Sequence, residues 1–363
     1  MYDIAIIGAG INGTSVAHEF LKENKSVILF DMEGVAHGGS GAAGAFVSPK
    51  FSKYGELKEL LQDAFIYSME FYEKNFPQHF TKTQLIHIAK DEKDGESLRF
   101  YKQNTTLKLK EIDNTYDKET ISLDTAIIDA KPMCEALADG AKFVKQKVQT
   151  LEYDDGMWII DEIYTAKDLV IATGAYENLI KEPYIKLAGV WGHRIDIKTS
   201  TKNNFSLHQY VSISPTNDGV LAIGATHDVH YHPQTATKPY DIEKGRAELL
   251  EKASKTIKLE DVEVIKDYTG LRSGSYDYMP LVGELVISNE TLACKDIGLG
   301  MKKQDYEKYI YYPNLYMING NGGYGFVLAP YLAKILKDKI LNDKKVSDRI
   351  SPARFFARWA RRR

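Results

Sequence analysis

The chain has 363 residues, a formal net charge of -3, 44% hydrophobic and 27% charged residues. That length exceeds one small core and suits two intertwined domains. The charge balance excludes indiscriminate nucleic-acid binding by the whole surface, though not a local basic patch, and no run of about eighteen apolar residues is present to span a membrane.

The first apolar run begins at Tyr2 with no basic leader before it, so a cytoplasmic location is expected. Cys134 and Cys294 are the only cysteines and form no CxxC, so neither a metal site nor a dithiol site is expected. The run leads into Gly8-x-Gly10-x-x-Gly13. A helical pattern over 14–23 and a second apolar strand over 26–30 follow, the strand ending on Asp31. This is the order of a βαβ dinucleotide site. Gly8 makes the tight turn, Gly10 admits a pyrophosphate, Gly13 lets helix and strand close up, and Asp31 stands where an acid meets ribose hydroxyls.

Next comes a small-residue loop, His37-Gly38-Gly39-Ser40-Gly41-Ala42-Ala43-Gly44-Ala45, suited to backbone lying against a ligand. An extended piece, 46–51, precedes a long amphipathic helix over 54–75. A strand is expected at 85–89, a polar helix at 91–101, and a helix opened by Pro132. One strand is expected over 142–153, turning at Asp154-Asp155-Gly156 into another. A buried parallel strand, 168–172, ends in Thr173-Gly174-Ala175, where α/β sheets bind ligands. The middle region, 187–257, reads as strands with a helix over 242–257. Further on come Gly270-Leu271-Arg272 and Pro280-Leu281-Val282-Gly283, then a glycine-rich loop, Gly320-Asn321-Gly322-Gly323-Tyr324-Gly325. The last long helix starts near residue 325, with Pro330 expected in its first turn. The tail from Arg354 to Arg363 interleaves arginines with Phe355, Phe356 and Trp359. It reads either as an RNA-gripping segment or as an amphipathic helix docked on its own domain. A single GxGxxG with glycine clusters far apart in sequence implies a long, buried cofactor and favours FAD over NAD.

On these motifs the chain resembles the D-amino-acid oxidase and glycine oxidase superfamily of flavoproteins over nearly its whole length. Within it, the closest likeness is to the FAD-dependent C-terminal half of the MnmC family of tRNA wobble-uridine modification enzymes. The carriers are Ser48-Pro49-Lys50-Phe51-Ser52 after the small-residue loop, Arg272 followed by Asp277-Tyr278-Met279-Pro280-Leu281-Val282-Gly283, and the basic aromatic tail. Such chains carry Asn-Pro-Gln where this one has Ala42-Ala43, and often a methyltransferase half, so a separate methyltransferase partner is expected.

The resemblance implies an α/β fold of D-amino-acid oxidase type. A Rossmann-like FAD-binding domain (1–78, 125–184 and 266–363) would interleave with a mixed-sheet α+β substrate domain (79–124 and 185–265). It implies oxidation of a glycine-like secondary amine in 5-carboxymethylaminomethyl-uridine, releasing glyoxylate. Two alternatives stay open: an oxidase of free glycine, sarcosine or a D-amino acid, and a non-catalytic FAD-bound RNA-binding protein. Arg272 is expected to clamp the substrate carboxylate, Lys50 to act as a fixed cation, and Tyr278 and Tyr324 to wall the pocket. The expected FAD contacts, non-covalent, are Gly8, Ala9, Gly10, Asn12, Gly13, Asp31, Met32, Gly39, Ser40, Gly41, Ala42, Ala43, Gly44, Val148, Ala172, Thr173, Gly174, Arg272, Gly322, Gly323, Tyr324, Gly325 and Phe326. His37 beside the loop departs from the histidine pattern of covalently linked relatives. The tail is the expected contact for tRNA.

Overall fold

The computed structural model describes residues 1–112, 116–176, 179–294 and 305–362. In chain order the elements are β1 (Tyr2–Ile7), α1 (Ile11–Lys22), β2 (Val27–Asp31), β3 (Phe46–Val47), α2 (Glu56–Asn75), β4 (Phe80–Ile88), α3 (Glu92–Asn104), β5 (Thr120–Ile128), α4 (Ala130–Leu137), β6 (Lys142–Lys145), β7 (Leu151–Asp154), β8 (Met157–Ile160) and β9 (Tyr164–Ile171). There follow β10 (Leu187–Lys198), β11 (Ser206–His208), β12 (Ser212–Ile213), β13 (Val220–Gly224), α5 (Ile242–Ser254), β14 (Glu263–Ser275), β15 (Leu281–Val286), α6 (Ser288–Ala293), β16 (Tyr311–Asn319), α7 (Gly325–Asn342) and α8 (Ala353–Ala360).

Two sheets organise the α/β fold. The first runs β15-β16-β9-β1-β2-β6, with the β7–β8 hairpin joined to β9. Its central strands β16, β9, β1, β2 and β6 are parallel, and β15 is antiparallel. The buried run Ile4-Ala5-Ile6-Ile7 explains why β1 sits in the middle, because a parallel strand is covered on both faces. One face carries α1, α2 and α7, packed through Val16, Phe20, Leu61, Phe65, Leu328 and Leu332. The other carries α8, through Phe355, Phe356 and Ala357. The second sheet is mixed, in the order β14-β10-β13-β12-β11-β4-β5-β3, with α5 across Ile195, Ile213 and Ile223.

Two local expectations need correction. The single strand over 142–153 is two strands, β6 and β7. Between them Gln146 N–H turns back to Asp31 O at 2.9 Å, and the N–H groups of Gln149 and Thr150 both donate to Asp161 Oδ1 at 2.8 Å. Those side-chain bonds replace a ladder. Pro330 lies inside α7, in its second turn. Proline lacks the N–H that would bond the Phe326 carbonyl one turn back. That oxygen is instead filled by the Tyr72 hydroxyl at 3.1 Å.

Candidate active site

A cavity of about 680 Å³ runs between the carboxyl ends of the first sheet and the inner face of the second. Its dinucleotide end is built by glycine. Gly8 has φ +108°, and a Cβ there would stand 2.3 Å from Ala172 O. A Cβ on Gly13 would stand 1.8 Å from Gly8 O. Both positions exclude side chains, so α1 can press onto β1 and aim its amino terminus into the cavity. Ser40, from the small-residue loop, accepts from Ile11 N–H at 2.9 Å and caps that terminus. Asp31 Oδ2 accepts from Ala9 N–H at 2.9 Å, and Oδ1 from the N–H groups of Glu33 and Gly34 at 3.0 Å. The carboxylate therefore sets the loop while facing the cavity.

The opposite end is tied by three asparagines. Buried Asn319 donates to Gly174 O at 2.9 Å and accepts from Ser273 Oγ at 2.8 Å. Asn321 donates to Asn12 Oδ1 at 2.6 Å, and Gly322 N–H donates to Ser273 O at 2.7 Å. These bonds clamp α1, the turn after β9, β14 and the loop before α7 together. Gly322 has φ +58° and open space where a Cβ would stand, so the loop presents backbone to the cavity. Val327 and Leu328 N–H both turn back to Tyr324 O, at 3.0 and 2.9 Å, and the positive amino terminus of α7 makes a site for negative charge.

At the substrate end, both terminal nitrogens of Arg272 donate to Thr226 O. A Cβ on Gly192 would lie 2.4 Å from Arg272 Nη2, so only glycine leaves room for the guanidinium. Burial lowers the pKa of Arg272 from its ordinary value, yet an arginine remains charged. Among the described residues no carboxylate pairs with it. Lys50 Nζ lies 5.8 Å from the centre of the Tyr324 ring. Burial pushes the Tyr324 hydroxyl up and the His208 imidazole down to about 3. His208 is thus neutral in the wall, its buried Nε2 without a hydrogen-bond partner among the described residues.

The cavity wall includes Gly8, Gly10, Asn12, Asp31, Met32, Gly39, Ser40, Ala42, Ala43, Gly44, Lys50, Val148, Ala172, Thr173, Gly174, Arg272 and 322–326. Ala9, Gly13 and Gly41 do not line it. Ala9 serves through its amide, Gly13 packs on Gly8, and Gly41 packs on Ala36 O. His37 stands in the wall. Tyr278 does not: it is 78% exposed, on the turn after β14. It alternates with Asp277, which points inward to Arg354, so the tyrosine must point out. Of the two readings of the tail, the aromatics follow the docked helix. Phe355 and Phe356 are buried, Phe356 against Tyr184 and Tyr309, and Arg354 pairs with Asp277. They cannot stack on bases. Arg358, Arg361 and Arg362 remain exposed, and Arg363 lies outside the described residues. Wall residues not among the expected site residues are Asn319, Asn321, Phe46, Phe51, His87 and His208. Asn-Gly-Asn-Gly at 319–322 and Phe51 in the 48–52 motif were readable signals; Phe46, His87 and His208 carry none.

Among the described residues no helix is long and apolar enough to cross a membrane, and no group of three or more His, Cys, Asp or Glu is placed to hold a metal. The glycine cradles, the two helix amino termini and the length of the cavity fit a dinucleotide bound along it.

Comparison with known proteins accords with this geometry. The family model described as FAD dependent oxidoreductase matches residues 3–339. The tRNA 5-methylaminomethyl-2-thiouridine biosynthesis bifunctional protein MnmC of Legionella pneumophila (strain Corby) is 24% identical, over 96% of this chain and 56% of that protein. Its namesake from Campylobacter fetus subsp. fetus (strain 82-40) is 22% identical, over 99% and 60%. The chain thus spans little more than half the length of these relatives. Among solved structures, glycine oxidase from Bacillus cereus ATCC 14579 superposes with a TM-score of 0.72 at 19% identity, over 95% of this chain and 96% of that one. Iminodiacetate oxidase from Chelativorans sp. BNC1 gives 0.72 at 14%, over 96% and 98%. The chain belongs to the FAD dependent oxidoreductase family, with the fold of the D-amino-acid oxidase type.

Proposed function

Proceeding from that membership, we propose that this FAD-dependent oxidoreductase oxidises the C–N bond of a glycine-like secondary amine. The substrate is 5-carboxymethylaminomethyl-uridine at the tRNA wobble position. The observation that carries the reading is Arg272, a half-buried guanidinium in the cavity wall without a carboxylate partner among the described residues. The names of the MnmC relatives support tRNA as the carrier.

FAD, when bound, supplies the two-electron acceptor for the hydride that leaves the α-carbon. Gly8, Gly10 and Ser40 would hold its pyrophosphate, and Asp31 its ribose. Arg272 grips the substrate carboxylate with a planar fork, fixing which hydrogen faces the cofactor. The α7 amides stabilise negative charge at the far end of the cavity. Lys50, beside Tyr324, adds a fixed positive charge. The nitrogen loses its proton as the C–N bond becomes an imine. Water then splits the imine into glyoxylate and the aminomethyl nucleoside. On this reading the protein works with tRNA in the cytoplasm, a methyltransferase completes the modification, and the domain division is that stated from the sequence.

Nucleoside mass spectrometry of tRNA from a strain lacking this gene tests the reading. Carboxymethylaminomethyl-uridine should accumulate; unchanged levels refute the tRNA substrate. Fast flavin bleaching by free glycine or sarcosine would instead favour a small-molecule oxidase.

A further inference from the structure

Two features stand outside the cavity with no role assigned, and the structure joins them. One is the turn Ser275–Met279, which projects Tyr276 and Tyr278 into solvent at 63% and 78% exposure. The other is Arg354 of α8. The turn is braced far beyond what a surface loop requires. Asp277 Oδ1 accepts from Ser275 Oγ at 3.1 Å, Met279 N–H at 3.2 Å and Arg354 Nη2 at 2.9 Å, and Oδ2 accepts from Arg354 Nε at 2.8 Å. Arg354 Nη2 also donates to Met279 O at 2.8 Å, and Ser275 Oγ to the same oxygen at 2.6 Å. Tyr278 is held at φ +63°, a conformation rare for a bulky residue. Such strain persists only where the surroundings over-determine it. The backbone that carries the two exposed rings is thus held in place.

The turn sits at the cavity's edge. Ser273, two residues before it, lines the cavity, and Gly274 bridges Asn321 of the loop before α7. Tyr276 is therefore within about 10 Å of the wall by chain length alone. Away from it, the face of α8 that begins with Arg354 continues through Arg358 and Arg361, at helical spacing and exposed. Among the described residues neither has a carboxylate partner.

We propose that Tyr276 and Tyr278 form a stacking platform for unpaired bases flanking the target nucleoside, with Arg358 and Arg361 tracking the phosphates beyond it. Exposed rings on a braced turn beside a cationic stripe are a combination by which proteins hold single-stranded nucleic acid. Arg354 is a positioning residue: it contacts no ligand and holds the turn that carries the rings. This inference rests on the tRNA reading and adds to it the surface that recognises the loop.

The test compares the flavin-loaded full chain with Tyr276→Ala, Tyr278→Asn and the double variant. Asparagine tolerates the positive φ without a ring. Each is assayed on tRNA bearing carboxymethylaminomethyl-uridine and on the free nucleoside. Loss of a stacked base should lower kcat/KM for tRNA about tenfold per ring, mostly through KM. Turnover of the nucleoside, which needs only the cavity, should hold, and Tyr276→Phe with Tyr278→Phe should restore tRNA. Wild-type turnover of tRNA with undiminished kcat/KM in the double variant overturns the platform and leaves the substrate reading standing. Equal losses on tRNA and nucleoside also overturn it, since the turn would then merely support the cavity. No wild-type turnover of tRNA overturns both.

Discussion

Both terminal nitrogens of Arg272 donate to a single main-chain oxygen, that of Thr226, at 3.2 Å each. The carbonyl aims the guanidinium without neutralising it. Arg272→Leu should therefore retain FAD, seen as an unchanged visible flavin band, and lose about 100-fold in kcat/KM. Arg272→Lys should recover only a small part, because an ammonium lacks the planar fork. A variant that emerges colourless would make Arg272 a structural residue instead.

Gly192→Ala should imitate that defect from a neighbouring strand. The added methyl would stand 2.4 Å from Arg272 Nη2. The obstacle is the tip of a side chain, so the fold can absorb it by swinging the guanidinium away. We expect a normal melting curve, a full flavin spectrum and a KM raised about tenfold or more. Gly13→Ala meets backbone at 1.8 Å. It should give insoluble or flavin-free protein, read directly from the yield of yellow soluble material.

Tyr72→Phe tests the buried proline gap in α7. Removing the hydroxyl leaves the Phe326 carbonyl without its 3.1 Å partner in a buried site. A cost of about 1–3 kcal/mol follows, visible as a lower thermal midpoint. FAD release should also quicken, because Phe326 begins the helix that faces the cavity.

Asp168 supplies a pH signature. Burial in β9 raises its carboxyl from 3.8 to about 6. Between those values the folded chain keeps a proton that the unfolded chain has released. Stability therefore falls as pH rises from about 4 to 6 and is level above, by on the order of 2–3 kcal/mol in all. Asp168→Asn should flatten that slope and raise the thermal midpoint at neutral pH. A variant less stable than wild type at pH 7 would refute the assignment.

The dinucleotide end was legible because its requirements are local. Gly8 needs a positive φ and Gly13 needs contact with Gly8, and both are settled within a few residues of chain. Arg272 was legible as a lone planar cation among small residues. The wall formed by Phe46, Phe51, His87 and His208 was not, since three distant segments meet there only after the second sheet forms. Tyr278 misled, and the two readings of the tail stayed open, for one reason. Composition shows that a ring or a charge is present, but not which way it points. Asp277 and Arg354 decide that, and they find each other across 77 residues.

The strand order carries a consequence for how the protein is made. β1 opens the chain, yet β9 beside it keeps part of its edge unpaired until β16 arrives, and α7 closes the cavity later still. A ribosome must pass residue 325 before a flavin can be held. Loading the cofactor therefore waits on the synthesis of α7, and pairing over such long separations makes folding slow. A nascent chain stalled before residue 311 would expose a bare parallel edge rather than a half-built enzyme, the kind of surface that chaperones and proteases recognise.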